Sequence, residues 1–314
     1  MQTKSMVNKK AKPFLKWAGG KKQLLDSIEK NLPLEIKNTG VIDKYFEPFL
    51  GGGAVFFYLF NNYEIKEAYL YDINKELILT YNVIKNHPKK LISNLKVLAN
   101  EYLPLSDESR KEYYYNVRRE FNGNLENFDY LNFSNEHILR ASQMIFLNKT
   151  CFNGLYRVNK CGKFNVPMGR YKNPLICDET NILKVSNVLK NVCIVCDDYS
   201  VSEELIDNNS FIYLDPPYFP IKQNSFTKYN SDDFGVYEQI ELSKFCKKID
   251  DMDGKFLLSN SDPKNIDSTL DFFEKTYNNL NLKNFSFKRI DAKRSINSDG
   301  GKRGSVKELL IYNY

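Results

Sequence analysis

Histidine, tryptophan and long apolar runs are what this chain has least of. Two histidines, His87 and His137, and a single tryptophan, Trp17, occur in 314 residues. That leaves little material for a histidine-based triad or an imidazole metal centre. His87 precedes a proline and His137 sits among helical residues, so both read as structural. Six cysteines, at 151, 161, 177, 193, 196 and 246, show no disulfide framework, and only Cys193 and Cys196 have a metal-like spacing. They fall in Val192-Cys-Ile-Val-Cys196, which reads as a strand, and residues three apart on a strand face opposite ways. Buried, reduced thiols and no metal are expected. No apolar run of about 18 residues exists to span a membrane. Met1 to Lys12 is too polar for a signal peptide, so a cytoplasmic protein without a membrane partner is expected.

Acid is also missing locally. Residues 1–25 hold seven lysines and no Asp or Glu, and residues 137–177 hold seven Lys or Arg and again no acid. Residues 282–307 hold eight bases against Asp291 and Asp299. The formal net charge of +6 is modest, so what matters is its distribution. A solvated surface would carry such stretches equally well, but their interleaving with Trp17, Phe152, Tyr156 and Tyr171 points to nucleic acid. A hydrophobic content of 42%, with 14% aromatics, can bury the core of one large or two ordinary domains.

The chemistry is concentrated in Phe211-Ile-Tyr-Leu-Asp-Pro-Pro-Tyr218. Phe211 to Leu214 are strand formers, and two consecutive prolines continue neither a ladder nor a helix. Asp215 is therefore forced into an extended turn just past a strand's carboxyl end. Open α/β sheets bind ligands there. These residue types suit methylation of an exocyclic amine, whose lone pair is delocalised into its ring. Hydrogen bonds from the amino protons to Asp215 and to the carbonyl of Pro216 localise that lone pair, and Tyr218 offers a face for a flat base. An ordinary strand end with a turn-forming Asp is the bland alternative.

Two further glycine turns precede it. Pro13-Phe-Leu-Lys-Trp-Ala-Gly-Gly-Lys21 leads into the helical pattern Leu24, Leu25, Ile28, Leu32. Lys21 thus stands at a helix start, where the macrodipole does not favour a cation. Tyr45-Phe-Glu-Pro-Phe49-Leu-Gly51-Gly-Gly-Ala-Val-Phe-Phe57 reads as strand, turn and apolar helix, with glycines that let the backbone approach a ligand closely. It departs from the dinucleotide fingerprint, since Val55 and Phe56 are not glycine. About twenty residues on, Ala68-Tyr-Leu-Tyr-Asp72 ends a second strand in an acid well placed to accept both hydroxyls of a ribose.

Taken together, Phe14–Lys21, Phe46–Gly53, Asp72-Ile-Asn74 and Asp215–Tyr218 resemble the motifs of the Dam-type DNA adenine methylases, the D12 class, alpha group. The resemblance covers nearly the whole chain. It implies S-adenosylmethionine as cofactor, with Trp17 packing on it, Lys21 at its carboxylate, Asp72 at its ribose, and Phe49, Gly51 and Asp215 around it. A short acidic-aromatic motif at the cofactor's adenine falls on Asp197-Asp198-Tyr199, with Asp197 preferred. Asn148–Tyr171 carries the turn signals Asn153-Gly154 and Cys161-Gly162, and Leu155–Val158 with Lys163–Val166 reads as a hairpin. It is similar to the family's recognition hairpin for GATC. That likeness assigns Arg157 to guanine, Leu155 and Pro167 to thymine, Phe152 and Asn153 to the gap left by a flipped adenine, Tyr171 to phosphate, and Lys16 to DNA. Arg170 is a phosphate candidate by charge.

The expected architecture is α/β, a doubly wound Rossmann-like methyltransferase sheet with an inserted helical and hairpin target-recognition domain. Residues 1–83 and 181–314 form the catalytic part and 84–180 the recognition part. Helices are expected at Pro88–Tyr102, Asn135–Leu147 and Val236–Asp250, strands at Lys255–Ser259, and a closing antiparallel pair at Phe285–Ile290 and Leu309–Tyr314. A flap is expected over Ile221–Gly235 and a phosphate-contacting loop over Ser295–Gly304. The function implied is methyl transfer to adenine in double-stranded DNA, in GATC, by base flipping. The enzyme is expected to be a monomer or weak dimer, with a restriction-modification system as a possible partner. An RNA amino-methyltransferase would use the same catalytic turn, and a non-enzymatic DNA-binding repressor would need only the basic stretches and hairpin.

Overall fold

The computed structural model describes residues 10–21, 23–123, 125, 127–219, 234–265, 267–293 and 305–314. Its strands are β1 (Val41–Glu47), β2 (Glu64–Tyr71), β3 (Val192–Val195), β4 (Ser210–Leu214), β5 (Lys255–Ser261), β6 (Ser286–Lys293) and β7 (Ser305–Tyr312). Its helices are α1 (Leu25–Lys30), α2 (Leu34–Thr39), α3 (Ala54–Asn62), α4 (Lys75–Asn86), α5 (Pro88–Tyr102), α6 (Asp107–Gly123), α7 (Asn135–Thr150), α8 (Glu179–Leu189), α9 (Val236–Asp251) and α10 (Phe272–Asn278). The chain packs as two compact units. No helix among the described residues is long and apolar enough to cross a membrane.

One unit comprises Lys21–Leu50, Asn62–Tyr71 and Asp197–Tyr314. Six of the sheet's seven strands lie in it, in the order β2-β1-β4-β5-β7-β6. β1 pairs in parallel with β2 and β4, and β4 with β5, while β7 runs antiparallel to β5 and β6. This is the expected mixed α/β, Rossmann-like methyltransferase sheet, closed by the expected antiparallel pair. β4 is buried at every position, as a strand covered on both faces must be. The order turns back at β1 and β4, and a doubly wound sheet binds its ligands outside the carboxyl ends of the strands at such a point. α9 buries Leu242, Phe245, Cys246 and Ile249 along one stripe and packs against β5.

The other unit takes in residues up to Gly20, Gly51–Asn61 and Asp72–Cys196, so residues 84–180 lie wholly within it. Here α7 is the central helix, with α4, α5 and α6 packed around it. α7 is buried nearly all round, including the polar Arg140, Gln143 and Asn148. It starts at a capping box in which Ser134 accepts from a backbone N–H and His137 Nδ1 accepts from Ser134 N at 3.1 Å. His137 is structural, as read. α5 begins with Pro88 at its first turn, where a missing N–H costs nothing.

Three expectations are corrected. Cys193 and Cys196 are exposed, not buried. β3 is a short strand that ends at Val195, buried fully only at Val192, so the thiols fall outside any core. The hairpin at 155–166 is not two strands: only single bridges form, Val158 with Phe164 and Cys151 with Met168. Helix α6 supplies the reason. Asn122 brackets Phe164, accepting from its N and donating to its O, and Tyr114 and Arg118 both donate to the Val166 carbonyl. Side chains of a helix thus take the backbone groups that a partner strand would use. Third, the helical pattern after Lys21 shrinks to the six residues of α1, although Leu24, Ile28 and Leu32 are buried as its spacing required. The flap over 221–235, apart from its last two residues, and the loop 295–304 lie outside the described residues.

Candidate active site

Asp215 follows β4 directly, and Pro216-Pro217 ends the strand there. The parallel register sets Leu214 opposite Leu258, so Asp215 comes alongside Ser259. Ser259 Oγ donates to Asp215 Oδ1 at 3.1 Å, and Ser259 is held in turn by the buried Tyr213 hydroxyl at 2.9 Å. Lys21 Nζ lies 2.7 Å from the same Oδ1 and bonds the Tyr218 hydroxyl. It also stands 4.1 Å from the centroid of the Tyr218 ring. Tyr218 donates to Glu308 Oε2 at 2.6 Å. The lysine is buried, with 6% of its side chain exposed, which a cation tolerates only beside a carboxylate. Burial pushes the Asp215 carboxyl above its ordinary range, against the pull of Lys21 and Ser259. Burial raises Glu308 likewise, and the Tyr218 hydroxyl far above its usual value.

The turn after Asp215 is braced from outside the motif. Gln239 Nε2 donates to the Pro217 carbonyl at 3.0 Å, Asn260 Nδ2 donates to Gln239 Oε1 at 3.1 Å, and Phe219 N donates to Asn260 Oδ1 at 3.0 Å. In the same unit Phe49 meets the rings of Tyr199 at 5.4 Å and Phe234 at 5.8 Å between centroids. Asp198 caps the turn at Ser200 with Oδ1, while the neighbouring Asp197 carboxylate accepts from Asp198 N.

The other unit gathers a second cluster. Asp72 Oδ2 accepts from Gly51 N and Oδ1 from Asn74 N, both at 2.9 Å. Burial raises the Asp72 carboxyl and these two amides pull it back. Gly51 has φ +49°, and a Cβ there would come within 2.8 Å of the Trp17 indole, so only glycine admits the ring. Tyr156 is stacked on Trp17 at 5.0 Å and 16°.

The residues assigned to DNA also lie in this unit. The Lys16 backbone is clasped by Asn148, which accepts from its N at 3.0 Å and donates to its O at 2.9 Å. Its ammonium stands 5.5 Å from the centroid of the Tyr171 ring. Gly154, at φ +66°, lies under the Lys16 side chain, and Asn153 beside it takes the left-handed φ of 58° that an Asn-Gly turn requires. Phe152, Asn153, Arg157, Pro167, Arg170 and Tyr171 are exposed and Leu155 is half-buried. Arg157 Nε bonds Asn165 Oδ1 at 2.7 Å.

The chain matches the D12 class N6 adenine-specific DNA methyltransferase family over residues 17–296. It belongs to that family. The methyltransferase is 51% identical to the Type II methyltransferase M.MjaIII of Methanocaldococcus jannaschii, across 96% of this chain and 99% of that one. It is 34% identical to the Type II methyltransferase M1.LlaDCHI of Lactococcus lactis subsp. cremoris, across 96% and 95%. It is 32% identical to the DNA adenine methylase of Escherichia coli, again across 96% and 95%. The chain is an adenine-specific DNA methyltransferase, which sets aside the RNA enzyme and the repressor. Methyltransferases of this class generally depend on S-adenosylmethionine, and the residues present fit its nucleoside. An acid fixed by two backbone amides keeps lone pairs for vicinal hydroxyls, and Trp17 lies against Gly51, whose N–H holds that acid.

The sequence reading gave no site role to Ser259, Gln239, Asn260 or Glu308, and named Tyr156 only as an aromatic among basic residues. For the first and third a signal existed: β5 ends in Ser-Asn-Ser and Asp262 follows, a polar run at the carboxyl end of a strand.

Proposed function

We propose that the enzyme transfers the methyl group of S-adenosylmethionine to the exocyclic amine of an adenine turned out of duplex DNA, within GATC. The observation that carries this is Asp215, an acceptor fixed on one oxygen by Lys21 and Ser259 at the end of β4 and followed by Pro216-Pro217-Tyr218. S-adenosylmethionine supplies the electrophilic methyl. The chain supplies geometry. Asp215 and the Pro216 carbonyl accept hydrogen bonds from the amino group, which draws the lone pair out of the ring, and the purine stacks on the face of Tyr218 away from Lys21. Trp17, Gly51 and Asp72 hold the methyl donor, with Phe49 and Asp197 at its adenine. Residues 84–180 read the target: Arg157 takes guanine, Leu155 and Pro167 the thymine methyl, Phe152 and Asn153 the vacated gap, and Lys16, Arg170 and Tyr171 the backbone. Because two relatives are named Type II methyltransferases, we place this enzyme beside a restriction endonuclease.

Tritiated methyl transfer to duplexes with GATC, with each base of the site replaced in turn, tests the assignment. Methylation indifferent to those replacements would refute it. Arg157→Ala is expected to cost about 1–3 kcal/mol in kcat/KM and to relax the choice of guanine. Unchanged selectivity would remove Arg157 from that role.

The pH profile follows from the cluster. A protonated Asp215 is no longer a full acceptor, so transfer falls as pH drops through its raised pKa. Lys21 lowers that pKa. Lys21→Met therefore moves the acid limb of the kcat/KM profile to higher pH, and an unmoved limb would show that Lys21 does not set it.

A further inference from the structure

We propose that Tyr156 is a positioning residue that couples reading of the target site to the hold of Trp17 and Asp72 on the methyl donor. This rests on the roles given above to those two residues and to Leu155 and Arg157.

Tyr156 lies between two residues assigned to bases. Leu155 is extended, at φ −80° and ψ 144°, so side chains along the segment alternate in direction. Arg157 points to solvent, and the Tyr156 ring turns inward between Trp17, at 5.0 Å, and Phe164, at 5.8 Å. Burial raises the pKa of its hydroxyl, and the nearby Asn74 side chain opposes that rise. Asn74 is the N-cap of α4, accepting from Leu77 N at 3.1 Å, and its own N–H holds Asp72 Oδ1. Trp17 presses on Gly51, whose N–H holds the other oxygen of the same carboxylate. Asp72 is thus joined to Tyr156 through Trp17 and Gly51, and its other oxygen is held by Asn74, which stands near the Tyr156 hydroxyl. When Leu155 and Arg157 shift to meet their bases, the ring between them moves, and Trp17 stacked on it must follow. By linkage, a methyl donor that orders Trp17 and Asp72 favours the reading position of the segment to the same degree.

A core aromatic would pack there without transmitting anything, and the two cases differ in a measurable ratio. The affinity for S-adenosylhomocysteine, which carries no methyl to transfer, is measured by calorimetry on the full chain, alone and with a short duplex containing GATC or a scrambled site. Trp17 is the only tryptophan, so its emission reports on the stack in the same samples. The expected result is that the GATC duplex tightens S-adenosylhomocysteine at least about fivefold and shifts Trp17 emission, while the scrambled duplex does neither. In Tyr156→Leu both ligands still bind, but the duplex no longer changes the affinity or the emission. If Tyr156→Leu keeps the wild-type ratio, or lowers both affinities and the melting temperature with the ratio intact, Tyr156 is only packing and the proposal is overturned. The same holds if the wild-type protein shows no coupling. Should Tyr156→Leu not fold, Tyr156→His decides: a smaller ring with a poorer stack on Trp17 must lower the ratio, and an unchanged ratio in a folded variant overturns the coupling. A wild-type protein that binds neither ligand overturns the proposal by a different route, since it removes the donor and DNA assignments beneath it.

Discussion

Asp215→Ala is expected to lower kcat by at least about 10³-fold, a loss of about 4 kcal/mol of transition-state stabilisation. Its effect on S-adenosylhomocysteine affinity should be small. An exocyclic amine is a poor nucleophile because its lone pair belongs to the ring, and only an acceptor fixed in advance can draw it out. Asp215 is fixed by groups that survive the substitution, Lys21 and Ser259. The alanine variant therefore loses the acceptor without losing the turn. It also leaves Lys21 buried without this carboxylate, although Tyr218 remains beside it and Glu308 beyond. Some loss of stability follows, so Asp215→Asn is the cleaner comparison: it keeps the shape and a neutral acceptor and should be slower than wild type yet faster than alanine. Single-turnover transfer of tritiated methyl to duplex DNA, with melting curves on the same preparations, separates chemistry from folding. Full transfer by a folded Asp215→Ala would end the amine-clamp mechanism.

How much of this was legible in the sequence depends on how local the cause is. β4 was readable because four apolar β-formers run into Pro-Pro, and the strand is observed at Ser210–Leu214. α5 was readable to the residue, since Pro88 can begin a helix and Leu91, Ile92, Leu95 and Tyr102 make one buried face. α6 was not. Its buried stripe of Tyr114, Val117 and Phe121 has helical spacing, but charged residues and further tyrosines around it hide the period. The recognition hairpin was half-read for a related reason. Its turns were marked by Asn-Gly and Cys-Gly, but the loss of its ladder to Tyr114, Arg118 and Asn122 depends on a helix far away in sequence. In the candidate site the acceptor and its turn were visible as a motif. The partner of Asp215 was not, because nothing near Lys21 says which carboxylate will come to it.

Arg140→Met is the substitution expected to cost most in stability, about 3–5 kcal/mol by urea denaturation. Arg140 and Glu76 are a buried pair with side chains 4% and 6% exposed. Arg140 Nε lies 2.8 Å from each carboxylate oxygen, a second guanidinium nitrogen bonds Oε1, and the third reaches the Phe121 carbonyl at 3.0 Å. Tyr130 donates to Glu76 as well, and the guanidinium stacks over Phe121 at 4.4 Å and Phe128 at 4.7 Å. Methionine fills the volume but leaves a carboxylate buried with one phenol for a partner, and lysine lacks the planar fork that serves carboxylate and carbonyl together. Without its cation Glu76 is a buried charge with no compensating partner of opposite sign. Replacing both residues, Glu76→Gln with Arg140→Met, removes the stranded charge and should recover part of the loss. A double variant as unstable as the single one would show that packing over the rings, not charge, is what Arg140 provides. The site feels the difference, because Glu76 stands in the first turn of α4, two residues after the Asn74 cap that holds Asp72. A loosened α4 should therefore weaken S-adenosylhomocysteine binding before it unfolds the protein, and calorimetry at low urea would register it.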